Sequence, residues 1–267
     1  MPDLKAPSGL VWSYELKGSG EPLLFVHGWG CSQKVWKQQS EYFSRNFKVL
    51  TVDLPGHGKS SWAKVSLEDM ANDLDGLTNE LGLKQLNIVG SSLGGLVILK
   101  LLALHPAKIK RLILVGTLPQ FLQTKDSPHG LELDRIRSLS NLLETDYPAI
   151  VQIFFRSLFT GQERRSARYQ WLQQFGPKEE VPQKEALKTF LEFLQAEDLS
   201  DTLRKINFPV QFINGTEDYI CTADSIRALQ KTVAGSRLEL FKGCGHFPFL
   251  TKPVEFNRVL EKFLITK

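Results

Sequence analysis

A mostly parallel α/β sheet interrupted by one helical insertion is the fold class that this sequence predicts, on three observations. Short apolar runs alternate with helix-like segments, one long stretch breaks that alternation, and 267 residues at 42% hydrophobic content suffice for a single large domain with a sizeable core.

The apolar segment 10–16 is expected as an additional edge strand. Strand runs follow at 22–28 ("PLLFVHG"), 48–54 ("KVLTVDL"), 86–90 ("LNIVG"), 111–116 ("RLILVG"), 210–215 ("VQFING") and 238–243 ("LELFKG"). Helical patterns at 66–81, 93–104, 223–233 and 253–264 lie between or after them. From 118 to 199 no strand pattern occurs, only helical periodicity with polar breaks at "TGQE" and "GPKEE". The chain therefore divides into a core of 1–117 and 200–267 and a helical insertion of 118–199. Phe121, Phe154, Phe155, Phe159, Phe190 and Phe193 fall in that insertion. Most of these rings are expected in its own core, with some facing a pocket where it meets the sheet.

Composition excludes several classes of function. The net charge of +4 comes from 33 basic and 29 acidic residues without a long Lys/Arg run, which argues against a nucleic-acid binder or a membrane-surface protein. No apolar run approaches the roughly 20 residues that span a bilayer, and the first twenty residues do not read as a signal peptide. Three cysteines, Cys31, Cys221 and Cys244, are odd in number and lack CxxC pairing. A cytoplasmic protein without metal is the expectation, and Asn214-Gly215-Thr216, which ends a strand run, is read as unmodified. A monomer is expected.

The chemistry starts at "NIVGSSLGGLV", residues 87–97. A serine on a sharp strand-to-helix turn needs small neighbours two positions away on each side. Ser92 has Gly90 and Gly94, whereas Ser91 has Val89 and Leu93, so the glycine frame selects Ser92. The alternative for Ser92 is a plain helix cap, but a strand before it and a helix after it supply the context of a nucleophile.

Such a hydroxyl needs a base, and the base needs a carboxylate to hold its tautomer. Of five histidines, His27 and His57 sit in glycine loops, His105 ends a helix and His129 lies in the insertion. His246, in "GCGHFP" after the last strand, occupies the place that the chain order Ser, acid, His demands. In the loop "TEDYI" after the strand run 210–215, Asp218 is the candidate acid, and its neighbour Glu217 is expected to be solvated. Two backbone N–H groups must face the developing oxyanion, each worth on the order of 100- to 1000-fold in rate by analogy with side-chain donors. Leu93, after the nucleophile, supplies one; Trp29 in "HGWG" is the candidate for the other, with its indole as a pocket wall. Trp29, Phe154 and Phe155 are the candidate substrate-binding residues.

Two phosphate motifs fail. "GKS" at 58–60 lacks the Gly of a Walker A loop, Asp53 standing in that place, and "GWGCSQ" breaks GxGxxG at its last position.

"HGWG", "DLPGHGKS", "GSSLGG", "GTED" and "GCGHFP" in this order, with a helical cap between the fourth strand-like pattern and the acid loop, resemble the α/β-hydrolase superfamily over nearly the whole chain. Within it the chain is similar to the pimeloyl-acyl-carrier-protein methyl ester esterases of biotin synthesis, through "HGWG" followed by "VW", through "SLGGLV", and through the run from "LEFLQAEDL" to the acid loop. The resemblance implies a serine carboxylesterase without cofactor. Its substrate would be a methyl ester on a pimeloyl chain carried by acyl-carrier protein, docked on cap arginines. Arg156, Arg164, Arg165 and Arg168 are the candidates here; if 162–172 is one helix, Arg164 and Arg168 are a turn apart and form a compact basic face, the alternative being an ordinary solvated face. The family often has an aromatic residue where this chain has Ser91. Other hydrolases with the same motifs remain open: a carbon–carbon bond hydrolase, a menaquinone-pathway lyase, a lactonase or a short-chain esterase. So does a ligand-binding receptor on the same fold.

Overall fold

Eight strands form one sheet in the order β1-β2-β4-β3-β5-β6-β7-β8 in the computed structural model, which describes residues 3–125, 130–177 and 180–265. The strands are β1 (Asp3–Lys5), β2 (Val11–Lys17), β3 (Glu21–Val26), β4 (Phe47–Val52), β5 (Leu86–Ser91), β6 (Ile109–Val115), β7 (Val210–Gly215) and β8 (Arg237–Phe241). From β4 to β8 all neighbours are parallel, while β1 and β2 join antiparallel. The run 10–16 is therefore β2 but not the edge. β1 pairs outside it, and three polar-flanked residues carry no alternation from which a strand can be read.

The strand order reverses around β3, whose neighbours are β4 and β5. The register pairs Val26 with Gly90, so the loops leaving β3 and β5 emerge side by side at the carboxyl end of the sheet. That crevice is where open α/β sheets bind ligands. Alternate side chains of each strand feed two cores. Leu24, Val26, Ile88, Leu112, Leu114 and Phe212 face one side; Leu23, Phe25, Val89, Ile113, Val115 and Ile213 face the other.

The helices that cover the sheet follow from sequence. α1 (Lys37–Phe43) is short. α2 (Leu67–Glu80) starts from a capping box in which Ser66 Oγ accepts from Asp69 N and Asp69 Oδ2 accepts from Ser66 N. α3 (Leu93–Leu104), "LGGLVILKLLAL", is apolar almost all round because it is buried between the sheet and α2. Between β6 and β7 lie α4 (Leu133–Thr145), α5 (Ala149–Ser157), α6 (Gly161–Arg164), α7 (Ala167–Leu172), α8 (Lys184–Ala196) and α9 (Ser200–Arg204). Only isolated bridges, Gln120–Asp198 and Leu122–Leu131, interrupt this helical stretch among the described residues. α10 (Ala223–Gln230), α11 (Pro248–Thr251) and α12 (Pro253–Ile265) complete the chain. No helix among the described residues is long and apolar enough to cross a membrane.

One expected helix is two. The segment 162–172 breaks between α6 and α7 because Ser166 takes an extended backbone and caps α7, its Oγ accepting from Tyr169 N at 3.2 Å.

Candidate active site

Ser92 sits at φ 53° and ψ −120°, and the only other non-glycine residue at positive φ among those described is Gln85. A serine held there is strained by about 1–3 kcal/mol, and the turn that imposes it depends on its glycines. A methyl group on Gly90 would lie 2.7 Å from Gly95 Cα, and one on Gly94 would strike the carbonyls of Val26 and His27. The turn is pinned from β6: Ser92 N donates to Val115 O at 2.9 Å, and Thr117 Oγ1 donates to Ser92 O at 3.2 Å. Ser92 lines a cavity beneath the helices that follow β6, whereas Ser91 is buried, lines none of it, and leaves its Oγ without a partner among the described residues.

His246 opens onto the same cavity. Its Nδ1 donates to Asp218 Oδ2 at 2.7 Å, and the other oxygen, Oδ1, accepts from Ile220 N at 2.8 Å and Cys221 N at 3.1 Å. Both side chains are buried, so solvent does not compete for the pair, and Nε2 is left as the acceptor. Glu217 is exposed, as expected of a solvated neighbour.

The remaining histidines do other work. His27 Nδ1 donates to Gly28 O and its Nε2 accepts from Leu54 N at 3.0 Å. His57 Nδ1 donates to Pro55 O, and its Nε2 accepts from Gly30 N at 3.3 Å. Burial lowers both, His57 to about 3, so they stay neutral and tie the "HGWG" and "DLPGHG" loops together. His105 meets Asn72, and His129 lies outside the described residues.

The "HGWG" loop runs against the turn: a methyl group on Gly28 would be 3.2 Å from Ser92 Cβ. Leu93 begins α3 and so has no acceptor within the helix. Neither its N–H nor that of Trp29 donates to another group among the described residues. Both are therefore backbone donors without an acceptor among the described residues, one directly after Ser92 and one in the loop packed on its turn. The Trp29 indole donates to Leu187 O at 3.0 Å and meets the edge of Phe154 at 4.8 Å, which makes both rings part of the cavity wall.

The cavity measures about 670 Å³ and is mostly apolar, with Phe121, Ile150, Leu158, Leu191 and Leu194 among its walls. Phe155 is not part of it. Next to Phe154 in sequence but about 100° round α5, it packs on Phe159 and Phe247 in the core beyond. Several lining residues escaped the sequence reading. Tyr219 follows the acid and Phe247 follows the base, so adjacency was a signal for them. The Tyr219 hydroxyl, raised by burial, shares a 2.7 Å hydrogen bond with Ser157 Oγ across the wall. Arg135 on α4 also lines the cavity, and nothing in its local sequence marks it.

The four candidate docking arginines do not form a compact face. Arg156 and Arg165 are exposed. Arg164 folds back to donate to Phe159 O at 3.1 Å, and Arg168 is drawn into the body, donating to Leu250 O and Gln38 Oε1 at 2.8 Å each and lying over Trp171. Arg164 therefore belongs to α6 and Arg168 to α7, on either side of the Ser166 cap. All three cysteines are free and buried; burial pushes Cys31 up to about 12 and Cys244 to about 11, and the Cys221 thiol donates to Gly116 O.

A strained serine at the crevice of such a sheet, opening on the same cavity as the histidine of a buried His–Asp pair, defines a class, and the chain belongs to the α/β-hydrolase family: the model described as "alpha/beta hydrolase fold" matches residues 21–253. It is 32% identical to a pimeloyl-[acyl-carrier protein] methyl ester esterase of Nitrosomonas europaea, covering 91% of this chain and 95% of that one. With the enzyme of the same name from Vibrio cholerae it shares 29% identity over 95% and 97%. Among solved structures, an esterase from Exiguobacterium antarcticum superposes with a TM-score of 0.90 at 26% identity, over 99% of each chain. A bromoperoxidase from Bacillus anthracis (TM-score 0.89, 23% identity, 99% of this chain and 100% of that one) shares the fold. The protein is a carboxylic-ester hydrolase.

Proposed function

We propose that the protein hydrolyses the methyl ester of a pimeloyl chain carried on acyl-carrier protein, through an acyl-enzyme on Ser92. His246 Nε2 takes the Ser92 proton as Oγ attacks the ester carbonyl, and Asp218 holds the imidazole and stabilises the imidazolium that forms. The N–H groups of Trp29 and Leu93 stabilise the oxyanion. His246 then protonates the departing methoxide, methanol leaves, and water activated by the same base releases the carboxylate and restores Ser92. Residues 118–199 act as a cap over the 1–117 and 200–267 core, and Trp29 and Phe154 hold the acyl chain.

The observation that carries this reading is the pairing of Ser92 and His246 on one large apolar cavity. An uncharged methyl ester enters such a cavity far more readily than a carboxylate, whose desolvation is costly. The product is then expelled by the charge that the reaction creates. The relatives' names direct the reading to the carrier-linked substrate. Arg135 on the cavity wall, with exposed Arg156 and Arg165 on the cap, offers positive charge to an acidic carrier.

The test is cleavage of the carrier-protein methyl ester, followed by gel shift, with restoration of biotin-independent growth in a strain lacking its methyl esterase. Wild type is expected to act in both and Ser92→Ala in neither. Arg135→Glu is expected to raise KM about tenfold for the carrier-linked ester and to leave p-nitrophenyl butyrate unchanged, while an unchanged KM for both would remove the docking role.

A further inference from the structure

The short cap segment 157–163 grips the loops that carry Asp218 and His246 at four places. Ser157 Oγ bonds the hydroxyl of Tyr219, next to Asp218, at 2.7 Å. Leu158 O accepts from His246 N at 2.9 Å. The Phe159 ring meets Phe247 at 5.5 Å. Glu163 Oε2 accepts from Gly245 N at 3.1 Å while also accepting from Thr160 N at 2.7 Å. The approach is close: a methyl group on Gly245 would strike Leu158 O and lie 3.2 Å from Glu163 Oε2.

Glu163 and Thr160 also form the capping box of α6, with Glu163 N donating to Thr160 Oγ1 at 3.1 Å. A cap alone does not account for the carboxylate. A box is satisfied at a surface, with its second oxygen in water. Here Oε1 is buried without a partner among the described residues, which costs stability, and the side chain reaches across 82 positions of sequence to the residue before His246.

We infer that Glu163 is a positioning residue for His246, an inference that rests on reading His246 as the general base. Loop 243–246 contains two glycines and would otherwise sample many conformations. Two consecutive backbone anchors, Gly245 N on Glu163 and His246 N on Leu158, fix where the imidazole stands, and Asp218 fixes its rotation. A base must be held to within about 0.5 Å of its working position. Because Ser157 and Leu158 also line the cavity, the wall that touches substrate and the loop that carries the base are one continuous structure.

The experiment compares the full-length wild type with Glu163→Ala, Glu163→Asp, Glu163→Gln and Thr160→Val on p-nitrophenyl butyrate, with folding checked by circular dichroism. Glutamine retains an oxygen for both N–H donors, whereas aspartate is one methylene too short to reach both. Glu163→Ala is expected to lower kcat about tenfold with KM within twofold, Glu163→Asp to lower kcat severalfold, and Glu163→Gln to stay within threefold of wild type. Thr160→Val, which removes the cap but not the Gly245 contact, is expected to lower the melting temperature and keep kcat. Wild-type kcat in Glu163→Ala overturns the inference, as does a Thr160→Val loss equal to that of Glu163→Ala; if Glu163→Ala does not fold, the contrast between Glu163→Asp and Glu163→Gln decides. Undiminished turnover in Ser92→Ala or His246→Ala would instead remove the underlying site reading, whatever the Glu163 variants do.

Discussion

Gly116 lies against the ring of His246: a methyl group on its Cα would stand 2.8 Å from Cε1 and 2.9 Å from Nδ1. Gly116 itself is at φ +54°, so no side chain is tolerated there on either ground. Gly116→Ala is expected to push the imidazole out of line, and a displacement of about 1 Å at a reacting centre costs on the order of 100-fold in rate. Kinetics on p-nitrophenyl butyrate, with circular dichroism as the check on folding, should show that fall in kcat. Wild-type kcat would mean that the ring is not held against this glycine.

Ser92 pays for its position in backbone strain, at φ 53°. Glycine adopts that conformation freely, so Ser92→Gly is expected to abolish ester hydrolysis and raise stability by about 1 kcal/mol, equivalent to about 2–4 °C in melting temperature for a chain of this size. Calorimetry on the two proteins measures it. A lower melting temperature would show that the hydroxyl, not the turn, stabilises this position.

Phe154 and Phe155 are neighbours with opposite surroundings. Phe154 walls the cavity against Trp29, while Phe155 is packed between Phe159 and Phe247. Phe155→Ala is expected to lose about 3–5 kcal/mol of stability, read as a lower denaturation midpoint. Phe154→Ala is expected to lose much less and to raise KM for long acyl esters severalfold. Equal destabilisation by the two would contradict the division of α5 into a cavity face and a core face.

His57 links the fold to pH. Burial lowers it to about 3 in the folded chain, against an ordinary value near 6.5, and burial lowers His27 as well. In the window between those two values the unfolded state binds the additional proton. Stability is therefore fully present above about pH 6.5 and falls as pH descends, by up to about 1.4 kcal/mol per pH unit for each such group. Urea denaturation between pH 7 and pH 5 should show the decline, above the range where carboxylates titrate. His57→Asn, which keeps a donor for Pro55 O, should make it shallower and leave the His27 contribution; an unchanged slope would place the proton uptake elsewhere.

Legibility followed the range of the interaction. The apolar strands and the helices of the core stand in the sequence because local periodicity and glycine punctuation specify them. The helix 93–104 is found within its expected bounds. β1 was not legible, since three residues paired by a neighbour carry no pattern of their own. Ser92, Asp218 and His246 could be selected from the glycine frame and chain order, and the structure brings Asp218 and His246 to 2.7 Å. Whether the arginines share one helical face stayed open in the sequence, because the side-chain cap at Ser166 that splits 162–172 into two helices overrides the helical period.

Sequence by itself determined the parallel strands of the sheet, the strained turn at Ser92 and the identity of the His–Asp pair, all of which rest on short-range sterics and on the order of elements along the chain. Tertiary structure alone decided which surfaces those residues face. Phe154 rather than Phe155 meets the cavity, Arg135 lines it, Arg168 turns to Leu250 O, and Glu163 reaches Gly245 across 82 residues. Such choices depend on how separate helices pack over the sheet, where one residue of phase turns a side chain by about 100°, and no local pattern records them.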